Sequence, residues 1–246
     1  MSETRAASSG LSTYREGSLH AALKAMYAAA TPGSATEQAV DGYVIDVVTA
    51  AGLVEIQTGS FGSAAKKLAR LVDTHRITLV YPVAVEKWLL RVDADGVILG
   101  RRRSPKHGIA ADVFEELVHI PALLAHPNFE MDVVLIREEE LRGPAEAGVR
   151  YRYPREWRRL DRRLVEVVET LRVEHPANLL ALLPATLPDP FTTKDIAAAT
   201  GRSQRLAGRA AYCLERSGAV ARLPRAGRMI TYVRSDGMTQ SRTMPG

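Results

Sequence analysis

The stretch from Phe191 to Arg234 constrains the fold of this chain more tightly than any other: FTTKDIAAATGRSQRLAGRAAYCLERSGAVARLPRAGRMITYVR. Thr192 or Thr193 can cap a short helix, DIAAAT, with Asp195 near its electropositive start. Gly201 can end that helix, because glycine takes the left-handed C-terminal conformation at no steric cost. Residues 202–204 then turn the chain, and Arg205–Ser217 predicts a second helix that Gly218 stops. Ala219–Leu223 and Met229–Val233 read as two strands around the basic turn Pro224-Arg225-Ala226-Gly227-Arg228. In the second helix Leu206, Ala210 and Cys213 recur at helical spacing, with Ala207 and Leu214 beside them, and form an inward face. Arg205, Arg209 and Arg216 point outward, with Gln204 and Tyr212 nearby. Cys213, on the apolar face, reads as a small core residue.

This order of elements resembles the winged-helix domains of bacterial DNA-binding proteins. The resemblance implies that the second helix enters the major groove, with Gln204, Arg205, Arg209 and Arg216 as readers and Arg225 and Arg228 on the wing. Arginine suits such a place because its planar fork bonds the O6 and N7 of guanine together. Charge points the same way. Residues 1–149 hold 15 Lys+Arg against 19 Asp+Glu, whereas residues 150–234 hold 17 against 8. A basic module attracts polyanions, since binding a phosphate backbone releases condensed counterions.

The first half reads as mixed helix and strand. Ser18–Ala30 carries Leu19, Leu23, Met26 and Tyr27 on one helical stripe. VDGYVIDVV and LVEIQT, joined by TAAG, predict adjacent strands. Ser63–His75 predicts a second helix and Ile77–Val83 a buried strand. KWLLRVDADGVILGRR predicts a hairpin, and the segment Arg101–Gly108 a basic loop. A helix at ADVFEELV, a helical turn near PALLAH and a strand at Met131–Ile136 follow. Glu138-Glu139-Glu140 reads as a solvated helix start. Trp157–Glu174 predicts a long amphipathic helix, with Leu160, Leu164, Val168 and Leu171 on one face and arginines on the other.

One constellation in this half carries chemistry. Asp46 ends one strand, and Glu55 and Gln57, two apart, share a face of the next. Two carboxylates and the Ile56 carbonyl offer hard oxygen ligands for Mg²⁺, and Lys66 and Lys67 lie on the helix that follows. The arrangement resembles the restriction-endonuclease-like superfamily, the PD-(D/E)xK nucleases, in its Glu-x-Gln form. The resemblance implies a mixed-sheet α/β (α+β) core, with Asp46, Glu55 and Ile56 holding the metal. Asp46, Glu55, Gln57 and Lys66 or Lys67 would then be catalytic, the lysine replacing one that Gln57 displaces. Glu16 or His20 can add a ligand or a base. The longer pattern EIQTGSF, VYPVAVEKW, RRSPK looks like an uncharacterised bacterial family.

The expected organisation is a disordered lead at 1–17, the nuclease-like domain at 18–148, a helical linker at 149–190, a winged helix-turn-helix at 191–234 and a disordered tail at 235–246. No apolar run approaches the roughly 18–20 residues that cross a bilayer, and the first residues do not form a secretory signal. One cysteine excludes an internal disulfide and a cysteine-rich zinc site. The expectation is a cytoplasmic DNA partner protein, with a homodimer as one arrangement and no membrane partner. Two functions compete: a Mg²⁺-dependent nuclease or nuclease-derived protein, and a non-enzymatic DNA-binding regulator whose first half dimerises or senses.

Overall fold

The computed structural model describes residues 17–145, 156–224 and 229–235. Apart from Gly17 and Ser235, the expected lead and tail lie outside these residues, as do Glu16, Arg225 and Arg228. Helix α1 (Ser18–Ala29) leads into an antiparallel meander, β1 (Ala35–Val40), β2 (Tyr43–Thr49) and β3 (Gly52–Ile56). Helix α2 (Ala65–Leu71) crosses to β4 (Ile77–Val92), which runs parallel to β3. Strand β5 (Ile98–Arg103) folds back on the far half of β4. A 3₁₀ turn at Ala110–Val113 runs into the short helix α3 (Phe114–Leu117). A second 3₁₀ turn, Leu123–Ala125, precedes β6 (Phe129–Pro144), parallel to β4, and β7 (Trp157–Val173), antiparallel to β6. The sheet order is β1-β2-β3-β4-β6-β7, with β5 paired to β4.

Apolar side chains on both faces explain the layering. Leu19 and Leu23 of α1 bury against Val54, Ile56, Val80, Val134 and Ile136 on one face. The other face, through Leu53, Leu79, Met131 and Val133, packs against α2, α3 and the C-terminal residues in one continuous core. Each such aliphatic side chain contributes about 1.5–3 kcal/mol when fully buried.

After a 3₁₀ turn at Pro176–Leu182, the C-terminal module follows: β8 (Phe191–Thr192), α4 (Thr193–Thr200), α5 (Gln204–Ser217), β9 (Val220–Arg222) and β10 (Thr231–Arg234). Its strands form a small antiparallel sheet in the order β8-β10-β9. Thr192 caps α4, accepting from the Lys194 and Asp195 N–H groups while Asp195 returns a bond to the Thr192 N–H. Gly201 and Gly218 end the two helices in the left-handed region, at φ 63° and 82°. Leu206, Ala207, Ala210, Cys213 and Leu214 face inward as the periodicity predicts. Strand β8 was not anticipated.

Three expectations are corrected. Residues Trp157–Val173, read as a helix in a helical linker, form the strand β7 at the sheet edge. The solvated helix start at Glu138–Glu140 is instead the middle of β6, where Glu138 and Glu140 are buried. Arg101–Arg103, placed in a loop, close β5. The fold is thus a mixed α+β architecture around one large sheet. No helix among the described residues is long and apolar enough to cross a membrane.

Candidate functional site

The site forms where β2 leaves β3. Their ladder runs from Thr49↔Gly52 to Val47↔Val54 and stops. One residue further, the Asp46 carboxylate accepts the Ile56 N–H at 2.7 Å, taking the place of a strand partner. His20 of α1 approaches the same carboxylate oxygen, with Nε2 at 3.3 Å. Glu55, on the α2 side of the sheet, is 6% exposed and accepts from Lys67 Nζ at 2.6 Å. Lys67 also donates to the Val44 carbonyl. Gln57 faces the same way as Glu55 and donates to its Oε1 at 3.4 Å.

Electrostatics separates the two acids. Burial works against the ionised form of Asp46, but hydrogen bonds from His20 and the Ile56 N–H, with the His20 and Lys67 charges, outweigh it and hold the carboxyl below its usual range. Burial and the Asp46 charge push Glu55 above the usual range, partly offset by Lys67 and Gln57. A cleft of ≈ 470 Å³ opens beside them, lined by His20, Lys24, Val44, Asp46, Gln57 and Thr58 among others. Glu37 at its rim pairs with Lys24.

The sequence-derived residues therefore divide. Asp46, Glu55, Ile56, Gln57 and Lys67 come together. Lys66 stays exposed on α2, because neighbours on a helix point about 100° apart and only one can face the strand. Ile56 meets Asp46 through its N–H. Among the described residues, no group of three or more His, Cys, Asp or Glu is disposed to hold a metal. A cation here would rest on two carboxylates, backbone oxygen and water, a set that suits Mg²⁺, which keeps several waters and takes one or two carboxylates.

On α5, Gln204, Arg205 and Arg216 are exposed. Arg209, expected to point outward, does not. It is half-buried and donates to the Glu115 carbonyl and carboxylate of α3. Arg205, 72% exposed, also reaches Glu115, and Arg202 makes a bidentate pair with Asp112 at 2.7 and 2.8 Å. These bonds dock the start of α5 on the first half of the chain. Arg225 and Arg228 cannot be placed, since both lie outside the described residues. Burial pushes the Cys213 thiol up to about 12, which leaves it an inert core group.

Sequence reasoning missed a charged cluster next to the cleft. Arg162 of β7 donates to Glu138 at 2.8 Å and to the Thr58 carbonyl at 3.1 Å. Lys87 of β4 bridges Glu138 and Glu140 at 2.9 and 3.0 Å. Its members sit on three strands, of which β7 was read as a helix and the Glu138–Glu140 part of β6 as a helix start.

The fold and site define a mixed-sheet α+β protein with a cleft that Asp46 lines and a buried Glu55–Lys67 pair beside it. The chain belongs to a family described as a domain of unknown function (DUF8091), whose model matches residues 17–174. It is also similar to a protein of Treponema pallidum (strain Nichols) named "Uncharacterized protein", at 32% identity over 189 residues, 76% of this chain and 73% of that one. No solved structure matches.

Proposed function

We propose that this chain is a DNA-handling protein whose cleft is a metal-dependent phosphodiester-cleaving site of the restriction-endonuclease-like kind, joined to a winged-helix module. The observation that carries the reading is Lys67. It reaches Glu55 at 2.6 Å from the following helix and supplies the cation that Gln57 does not. Asp46 and Glu55, with backbone oxygen, would hold Mg²⁺. The ion, when bound, neutralises phosphate charge and lowers the pKa of a water. Lys67 and Gln57 would position the attacking water and the scissile phosphate, and the open cleft lined by Asp46 and Gln57 gives the strand access. Crowding of Glu55 by Asp46 fits the same role, because a cation relieves it.

The test is cleavage of duplex, branched and single-stranded DNA in Mg²⁺ or Mn²⁺ and in chelator. Identically prepared Asp46→Ala and Glu55→Ala proteins should lose all cleavage. Lys67→Ala should reduce it, by about 10²-fold or more if it acts as a positioned acid–base group. Acid variants that cut as well as the wild type would trace the activity to a contaminant. One observation favours a second reading, a non-enzymatic DNA-binding regulator: each acid already has a cationic or potentially cationic neighbour, Lys67 or His20. That reading takes over if no substrate is cut.

A further inference from the structure

Among the described residues, helix α1 covers only part of its sheet face. Ile136 is the last residue of β6 in the core beneath it. Further along β6, the same face carries Glu138, Glu140 and Arg142, because alternate residues share a face. Register then builds two transverse rows. In the first, Arg102, Leu89, Glu140 and Arg162 stand side by side on β5, β4, β6 and β7. In the second, Gly100, Arg91, Arg142 and Arg159 do the same. Adjacent strands are about 4.8 Å apart, so three arginines span only about 10 Å.

The acids nearby neutralise this row only in part, since Arg142 pairs with Glu140 while Arg91 and Arg159 have no carboxylate partner among the described residues. Glu138 is taken by Lys87 and Arg162, and Glu140 by Lys87 and Arg142. Arg91 lies over the Trp157 ring, 4.9 Å from its centre. Arg102 and Arg159 are exposed and make no ion pair among the described residues. Gly100 leaves its end of the row open, with nothing within 4 Å of where a Cβ would stand. Across 86–92, 98–103, 137–144 and 157–166 there are 11 Lys+Arg against 6 Asp+Glu. The rows are also continuous with the cleft, since Arg162 holds the carbonyl of Thr58, which lines it.

We propose that this face, uncovered among the described residues, is a DNA track: the phosphate backbone of a duplex lies across Arg91, Arg142, Arg159 and Arg102 and runs on toward the cleft that Asp46 lines. Closely set guanidiniums with few carboxylate partners are stabilised by a polyanion, and its release of counterions drives the association. The track rests on the DNA-handling part of the proposed function and not on catalysis. It assigns backbone contact to the sheet, away from α5, whose Arg209 is committed to Glu115.

The experiment is fluorescence anisotropy of a labelled short duplex with the full chain in chelator, across a salt series. The paired substitution Arg102→Gln and Arg159→Gln should weaken binding alike for every sequence. It should also flatten the slope of log affinity against log salt by about two, close to one per lost phosphate contact. Arg102→Lys with Arg159→Lys keeps the charge and should keep most of the binding. The track is overturned if the glutamine pair binds as the wild type does, or if the lysine pair loses as much as the glutamine pair. It is equally overturned if the arginines govern binding to anionic phosphatidylglycerol vesicles and not to DNA. Cleavage assays on the same proteins separate the two ideas. Arginine-dependent binding by a chain that never cuts supports the track and sinks catalysis, whereas cleavage with arginine-independent binding sinks the track alone.

Discussion

The proton on Glu55 links the site to stability. Burial and the Asp46 charge make the folded chain hold that proton more tightly than the unfolded chain does. Stability from Glu55 is therefore present in acid and is lost as pH rises through its raised folded value. Asp46 behaves in the opposite sense. Its contribution is present above the unfolded value and is lost as pH falls through the depressed folded one. Glu55→Gln abolishes the first effect and can still accept from Lys67. In chelator this variant should melt above the wild type at neutral pH, by a margin that shrinks toward acid. Mg²⁺ should reverse the order, because it stabilises only a native state that binds it. Circular-dichroism melts read both effects, and an equal Mg²⁺ shift in the two proteins would remove Glu55 from the metal site. Glu55 and Gln57 were legible as a pair because strand alternation puts residues two apart on one face. Asp46 sits where β2 breaks that alternation, with Ile45 and Val47 buried on opposite faces, and was legible only from its place in the β2–β3 hairpin. The choice between Lys66 and Lys67 was not legible, because the rotation of α2 against β2 and β3 is set by tertiary packing of Leu68 and Leu71.

Strand β7 shows why one element was misread. Its register against β6 slips three times, passing over Val168, Val165 and Leu160 in turn. Each slip inserts a residue with no partner, and all three are apolar and exposed. Such bulges break the period-two alternation that marks a strand. The surviving spacing of Leu160, Leu164, Val168 and Leu171 imitates a helical stripe, and no Gly or Pro interrupts it. The two readings differ in a measurable way. On a helix, Val168 would belong to the buried stripe, and a polar replacement would be costly. On β7 it is 45% exposed, so Val168→Thr should change stability by no more than about 0.5 kcal/mol in urea unfolding. Helix α5 gives the opposite contrast. Arg209 bonds the Glu115 carbonyl and carboxylate, and a hydrogen bond to a charged group contributes about 1.5–3 kcal/mol. Arg209→Ala should therefore lower unfolding free energy by about that amount, a loss in stability that a purely DNA-facing arginine would not produce. Caps made this helix legible, since Ser203 accepts from the Leu206 N–H and Gly218 closes it, both local events.

At the scale of the molecule, the matched family region ends at residue 174 but the hydrophobic core does not. Seven residues of the 14-residue α5 are buried, a wider face than packing on α4 alone requires. The surplus meets α3 and the turn at Leu123–Ala125, and the Pro176–Leu182 turn joins the same packing. Sequence periodicity shows that such a face exists but not which neighbour covers it, so the docking of the module was invisible before the fold was known. Docking makes the module part of one cooperative unit. Ending the chain after Glu174 would uncover the apolar side of α3 and the sheet face beside it, and that fragment should unfold at lower urea or aggregate. In the full chain, Phe114, fully buried where α3 meets this core, reports the coupling directly. Phe114→Ala removes its ring and leaves a cavity, at a cost of about 3–5 kcal/mol. If the two halves share one transition, that loss should shift the whole unfolding curve, followed alike by far-ultraviolet dichroism and by protection of the α5 amides from hydrogen exchange. A variant in which α5 amides keep wild-type protection while the sheet is destabilised would show two independently folding units and refute the single core.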